Sequence, residues 1–320
     1  MIRMMTAAAA IAVQVVCMSG AFAADTIKVA IGQIDAWANM APTLGMKAGI
    51  FQKHGIVLEN FGTQGAGETL QAVISGSADI GIGIGTSGAM RAFVKGAPIR
   101  VISSSYTGVQ DQFWYVPANS PIKSLADATD KNTMSYSTNG STSHNIVLGF
   151  VKQLGVKAKP TATGGPPATL TMTMSGQIDI GWAVVPFALT EVQEGKIRII
   201  ARGNDVPSLK DQTVRVQIVN ANALKAKKDV FIRFMRAYRE ALDWMYTSPD
   251  AVKMYAEIIK KPESLVILQR DQFNPKEAML PDRVSDLDGV MKDAVDVKFL
   301  DAPLTKEQLN ELFQIPPAGS

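Results

Sequence analysis

LQAVISGSADIG occupies Leu70–Gly81 and LTMTMSGQIDIG occupies Leu170–Gly181, with Leu, Ser, Gly, Asp, Ile and Gly recurring at an offset of 100 residues. Each copy follows a glycine-containing stretch, GTQGAGET in the first and ATGGPPAT in the second. Each reads as the last turns of a helix, a Ser-Gly stop and a short apolar strand opening at Asp-Ile. Gly76 and Gly176 stand at the C′ position, where a residue able to take positive φ is favoured. Ile80, Ile82 and Ile84, and Ile180, Ala183 and Val185, are short apolar runs of the kind buried in parallel sheets. Two such units predict two similar α/β lobes with equivalent loops after each strand. The alternative is one long α/β sheet with an accidental echo.

The N-terminal stretch MIRMMTAAAAIAVQVVCMSGAFA has one Arg, a small apolar core and Ala21-Phe22-Ala23. That is the pattern of a cleavable export signal over residues 1–23, with cleavage expected after Ala23 and a periplasmic destination. The apolar run is too short to span a bilayer. The only cysteine, Cys17, lies inside it, preceded by Val16 rather than the small residue a lipid-anchoring signal uses. The remaining chain then has no disulfide, thiolate chemistry or cysteine metal site. The formal charge of the whole chain is +3, without a basic run, so nucleic acid is not an expected partner. The length suits two domains.

Short strands alternate with helices from Thr26 onward, which predicts a doubly wound, mostly parallel sheet. VQDQFWYVP (Val109–Pro117) reads as an extended crossing segment, and TVRVQIVN (Thr213–Asn220) as the return. DVFIRFMRAYREALDWMY places Phe231, Phe234, Met235, Tyr238, Leu242 and Met245 on one helical face, a stripe for packing on a sheet.

GMKAGIFQKHGIVLE (Gly45–Glu59), LQAVISGSADIGIG, KGAPIRVIS, SPIKSLAD, NGSTSHN and SGQIDIGWAVVP succeed one another in an order and spacing that resembles a family. The chain is similar to the periplasmic substrate-binding proteins of ABC importers, in the NMT1-like branch that handles sulfonates, taurine, nitrate and thiamine-precursor pyrimidines. The resemblance covers essentially all of the chain after the signal. It implies a two-lobed (type II) binding-protein fold joined by two crossing strands. Residues 24–111 with 218–320 would build one lobe and 112–217 the other, the helical tail packing on the first. It also implies a monomer that holds a small-molecule ligand in the cleft and hands it to an ABC permease in the inner membrane, with no cofactor.

In open α/β sheets, ligands sit beyond the carboxyl ends of the strands. The candidate loops are therefore Gln33–Asn39, Gly62–Glu68, Gly85–Gly88, Asn139–Asn145 and Trp182–Pro186. From them Gln33, Trp37, Gln64, Gly65, Glu68, Thr86, Ser87, Asn139, Ser141, Thr142, Ser143, Trp182 and Pro186 are candidate ligand contacts, with Gln110, Asp111 and Phe113 at the crossing. NGSTSHN is the best anion loop: free N–H groups and a positive dipole end open its helix, and Gly140 allows close approach. Ser141 or Ser143 can equally serve as a plain helix cap. No arginine lies in these loops, so a small hydrated dianion is a poor match. Trp37 and Trp182, one from each lobe, could sandwich a flat or apolar body. A small organic anion with a carboxylate or sulfonate head is the expected solute. A thiamine-precursor pyrimidine is the alternative, with Asp35, Glu68 or Asp111 accepting from ring amino groups.

Enzyme chemistry finds little support. His54 reads as a surface turn residue, and His144 beside Ser141 and Ser143 lacks a G-x-S-x-G elbow and a carboxylate partner. H-E-x-x-H, P-loop and Rossmann glycine patterns are absent from the sequence. No catalytic and no metal-ligating residue is therefore assigned. A pyrimidine-synthesis-type enzyme on the same fold, or a sensor subunit, are the competing classes.

Overall fold

The computed structural model describes residues 24–318; the expected signal peptide and its cleavage site lie outside the described residues. Among the described residues ten strands build one five-stranded sheet and a second made of two bridged pieces. β1 (Asp25–Gly32), β2 (Ile56–Thr63), β3 (Ile80–Gly85), β4 (Ile99–Thr107) and β10 (Thr213–Asn220) form a five-stranded sheet in the order β2-β1-β3-β10-β4. β5 (Gln112–Pro117), β8 (Gly181–Val184) and β9 (Ile197–Arg202) pair as β8-β5-β9, and β6 (Thr133–Tyr136) pairs with β7 (Lys159–Ala162). A bridge between Met134 and Ile180 joins these pieces into the sequence β7-β6-β8-β5-β9. The second order reproduces the first. In each sheet one strand runs antiparallel to its neighbours, β10 in the first and β5 in the second. Each is the strand that comes after a crossover from the other sheet.

The repeated stretch explains the likeness. The helices Ala66–Ile74 and Pro166–Met174 both end at a serine followed by glycine with φ of +77° at Gly76 and +76° at Gly176. Thr69 and Thr169 each donate to the carbonyl four residues back, at Gly65 and Gly165, both at 3.1 Å. Each threonine also meets a second one, Thr63 or Thr163, at 2.6 Å. Asp79 Oδ2 accepts from the Lys28 N–H at 2.9 Å, and Asp179 Oδ2 from the Thr133 N–H at 2.8 Å. The repeated Asp thus ties its own strand to the neighbouring parallel strand, β1 or β6.

Helix Lys228–Thr247 buries the expected stripe, Phe231, Phe234, Met235, Tyr238, Leu242 and Met245, together with Val230, Ala237 and Ala241. It packs with β1, β2 and β3 residues in one core. A second core lies around Trp114, Phe150, Met134 and Trp182 in the other half. Val214 belongs to that second core, while Val216 and Ile218, two and four residues on, pack with Ile84 and Met90. β10 therefore leaves one half and enters the other within two residues. The tail does not pack on the first half alone: Leu265 and Phe273 pack with Phe113 and Tyr115 of β5, because the phenyl and phenol face outward from the second sheet.

Candidate functional site

A cavity of about 20 Å³ lies between the two sheets at the strand ends. That is room for roughly one water, so the halves are shut on each other. The first half contributes Gln33 and Asn39 from the segment after β1, Ala66, and Gly83 of β3; the second contributes Ser137, Trp182 and the start of helix Thr142–Leu154. The two antiparallel strands each send one polar side chain inward, Gln112 from β5 and Arg215 from β10.

Arg215 dominates the electrostatics. Its Nη2 meets Asp111 Oδ2 at 2.6 Å, and its guanidinium carbon lies 4.2 Å from the centre of the Tyr106 ring. Asp111 is fully buried, and burial pushes its carboxyl above the usual range while Arg215 pulls it back down. The pair is close to neutral overall, yet not saturated. Arg215 Nε, Trp182 Nε1, Asn39 Oδ1, Gln112 Oε1 and Asp111 Oδ1 are buried without a hydrogen-bond partner. Unpaired polar atoms cost about 1–3 kcal/mol each when buried. Four of these side chains, Arg215, Trp182, Asn39 and Gln112, line the cavity, so unpartnered donors and acceptors both occur on its wall.

Helix Thr142–Leu154 starts as the loop chemistry anticipates. Ser141 is its N-cap, accepting from His144 N at 3.1 Å, so the capping role is realised. Ser143 Oγ accepts from Ser137 N at 2.9 Å and lies 3.0 Å from Ser141 Oγ. His144 Nδ1 accepts from Gly140 N at 3.1 Å, which leaves the ring proton on Nε2. The imidazole stacks against Tyr136 at 4.4 Å and meets Phe299 edge-on. Burial, then the Arg91 charge, lowers its pKa to about 4. It is a neutral contact between the halves, outside the cavity.

Five of the sequence-derived contacts reach the cavity: Gln33, Ser141, Thr142, Ser143 and Trp182. Asp111 stands behind it as the partner of Arg215. Gln64, Gly65 and Glu68 form the turn at its edge, where Glu68 Oε2 accepts from Gln64 N at 2.8 Å. Thr86 and Ser87 are used in closure instead: Thr86 Oγ1 donates to Thr213 O at 2.6 Å, and Asn145 Nδ2 donates to Ser87 Oγ at 2.7 Å. Asn139 Oδ1 accepts from Tyr136 OH at 2.7 Å. Gln110 is half-buried in the crossing beside the Tyr106 phenol, and Pro186, after a cis peptide bond, lines a separate outer groove.

Two aromatic expectations are corrected. Trp37 is fully buried in the first core, edge-on to Tyr246 and Tyr255, with Nε1 donating to Tyr246 OH at 3.1 Å. It cannot face Trp182 because the short helix Trp37–Asn39 turns the indole under β1 and sends Asn39 to the cavity instead. Phe113 likewise points away, into the core with Tyr115 and Leu265. The candidate loops carry no arginine, as read, but the cavity has one from a strand, Arg215. TVRVQIVN alternates Val214, Val216 and Ile218 with Arg215 and Gln217, and both faces are buried. A charged residue on the inner face of a wholly buried strand was the available signal.

The crossover contacts are close. A Cβ on Gly85 would overlap the Gly140 carbonyl oxygen, and one on Gly88 would come within 2.6 Å of it. Gly67 N donates to Thr138 Oγ1 at 2.9 Å. Among the described residues no group of three or more His, Cys, Asp or Glu side chains could hold a metal ion, and no helix is long and apolar enough to cross a membrane.

Solved structures share this architecture. The alkanesulfonate-binding protein SsuA from Xanthomonas axonopodis pv. citri, bound to MOPS, aligns with a TM-score of 0.75 at 16% identity, over 91% of this chain and 98% of that one. The periplasmic aliphatic sulphonate binding protein SsuA from Escherichia coli aligns at 0.66 and 19% identity, over 91% and 92%. The periplasmic nitrate-binding protein NrtA from Synechocystis PCC 6803 aligns at 0.69 and 14% identity, over 91% and 86%. At these identities the likeness establishes the periplasmic-binding-protein fold. No curated protein matches the chain. The profile described as NMT1/THI5 like matches residues 37–252, most of the chain, and the protein belongs to that family.

Proposed function

We propose that this protein is the solute-binding component of an ABC-type import system. It is exported to the periplasm, acts as a monomer, captures one small molecule between its lobes and delivers it to a membrane permease. The lobes divide near residue 111 and again within β10, the return crossing, whose Val214 packs in the second half and whose Val216 packs in the first. The observation that carries this reading is the set of buried, unpartnered polar atoms converging from both halves on one closed cavity. A guest touching both halves stabilises the closed state by its differential affinity for it. No bond is made or broken.

The solute we favour is a small organic anion with a sulfonate or carboxylate head. Arg215 Nε, Trp182 Nε1 and the hydroxyls at the start of helix Thr142–Leu154 supply the donors. Arg215 is already paired with Asp111, so the head is a monoanion rather than a dianion. The unpartnered acceptors Asn39 Oδ1 and Gln112 Oε1 favour a second reading, a thiamine-precursor pyrimidine whose ring amino groups donate to them. A thermal-shift series with taurine, alkyl and aryl sulfonates, nitrate and 4-aminopyrimidines separates the two, since a solute that binds only the folded form raises Tm by mass action. A shift confined to sulfonates supports the first; one confined to aminopyrimidines supports the second. No shift from any of them, after unfolding and refolding to strip bound solute, opposes both.

A further inference from the structure

A cavity of about 620 Å³ opens on the first half, far larger than the space between the halves. β10 runs antiparallel, so its end at Asn220 and the start of β4 at Ile99 lie at the sheet edge opposite the interlobe cavity. There the helices Ala221–Ala226 and Lys228–Thr247 meet at a break, and Leu224, Phe231 and Ile232 form an apolar floor. The facing wall is Gln314–Pro317. This wall is fixed: Gln314 N donates to Val101 O at 2.8 Å, and Arg239 Nη2 donates to Pro316 O at 2.6 Å. Three cations, Arg100, Lys225 and Lys228, line the cavity, and among the described residues no carboxylate does. Arg100 is paired with Glu311; Lys225 and Lys228 are exposed and make no ion pair among the described residues.

We propose that this cavity binds an amphiphilic anion, an aliphatic carboxylate whose chain lies on the Leu224–Phe231–Ile232 floor and whose head lies between the two lysine amines. Its volume is in the ordinary range for ligand pockets, and its polar groups are few and of one sign. The lysine stems extend the apolar surface while their amines stay in water, which is how such side chains hold an anionic head at a wet rim. The site is separate from the interlobe cavity, so occupancy of one leaves the other open.

The test is calorimetric titration of the full protein with dodecanoate below its micellar concentration. One saturable site is expected, weakened about tenfold or more in the double variant K225E/K228E, as two reversed exposed charges imply, and unchanged in Trp182→Ala. Both lysines are exposed, so the double variant keeps its fold, checked by an unchanged Tm. Three outcomes overturn the proposal. One is the absence of saturable binding. Another is binding lost in Trp182→Ala and kept in K225E/K228E. The third is association only with phosphatidylglycerol vesicles and not with monomeric dodecanoate.

Discussion

The two helix–strand units at Leu70–Gly81 and Leu170–Gly181 match down to single hydrogen bonds, yet the strands they lead into differ. In the first half, β3 runs as IGIGIG into a helix at Thr86, and its last glycine, Gly85, with Gly88 in the helix, lets the Gly140 carbonyl of the other half press against the backbone. In the second, β8 is GWAV, and it brings Trp182 and Val184 to the cavity. The first copy meets the other half at its backbone, and the second brings larger side chains to the cavity. The shared part, threonine pair, Ser-Gly stop and Asp tie, only holds the strand in place. The two antiparallel strands diverge in the same way: β10 carries the charge, Arg215, and β5 carries a neutral amide, Gln112.

The largest effect that can break this comparison is at the charge. Asp111→Ala leaves Arg215 buried and unpaired, which is expected to cost about 3–5 kcal/mol of stability in urea unfolding. Gln112→Ala, at the equivalent inward position of the other strand, should cost far less. Similar losses would mean that the two strands contribute alike.

Gly85→Ala tests closure. Its φ of −59° suits alanine, so each half folds, but the new Cβ occupies the place of the Gly140 carbonyl. Overpacking of this kind costs about 1–3 kcal/mol, to be read as a roughly tenfold to hundredfold rise in solute Kd with a more extended small-angle scattering profile. An unchanged Kd would remove the closure role from the first copy.

His144 adds a pH dependence. Its folded pKa, about 4, lies below the ordinary 6.5, so the unfolded chain binds more protons between those values. Stability supported by neutral His144 is full above about 6.5 and falls as pH drops toward 4. The loss across that window is expected to reach about 2 kcal/mol, discounted for partial exposure. His144→Gln should flatten it, measured as Tm against pH; an unaltered slope would assign the acid sensitivity elsewhere.

The smallest effect sharpens the likeness itself. Thr69→Val and Thr169→Val each remove one buried hydroxyl that donates to a glycine carbonyl and meets a second threonine. Each should lower stability by about 1 kcal/mol, and by equal amounts. Unequal losses would show that the matching geometry is not matched in energy.

Much of this was legible in the sequence. The repeat, the alternation of strands and helices and the stripe on Lys228–Thr247 come from periodicity and from Ser-Gly stops, which are local signals. The cavity was half legible. Ser141 and Ser143 lie at a helix start whose composition announces them, and Trp182, expected in a loop, stands inside β8. Arg215, Gln112, Asn39 and Ser137 are not announced, because each reaches the cavity through long-range pairing. Arg215 is aimed by the register of β10 against β3 and β4, and Asn39 by the turn that buries Trp37. A tryptophan in a loop after a strand looks the same on the page whether it faces a guest or a core. Only the tertiary partners Tyr246 and Tyr255 decide it for Trp37.

Trp182 is where the central claim is most directly exposed, since its indole N–H is buried and unpartnered and the residue lines the cavity. The measurement is a calorimetric titration of wild-type protein and Trp182→Ala with whichever sulfonate or aminopyrimidine gives the largest thermal shift. An indole in contact with the guest is worth about 1–3 kcal/mol, so the variant should bind about tenfold to hundredfold more weakly with its fold intact. Equal affinity in the two proteins would contradict the assignment of this cavity as the place where the solute is held.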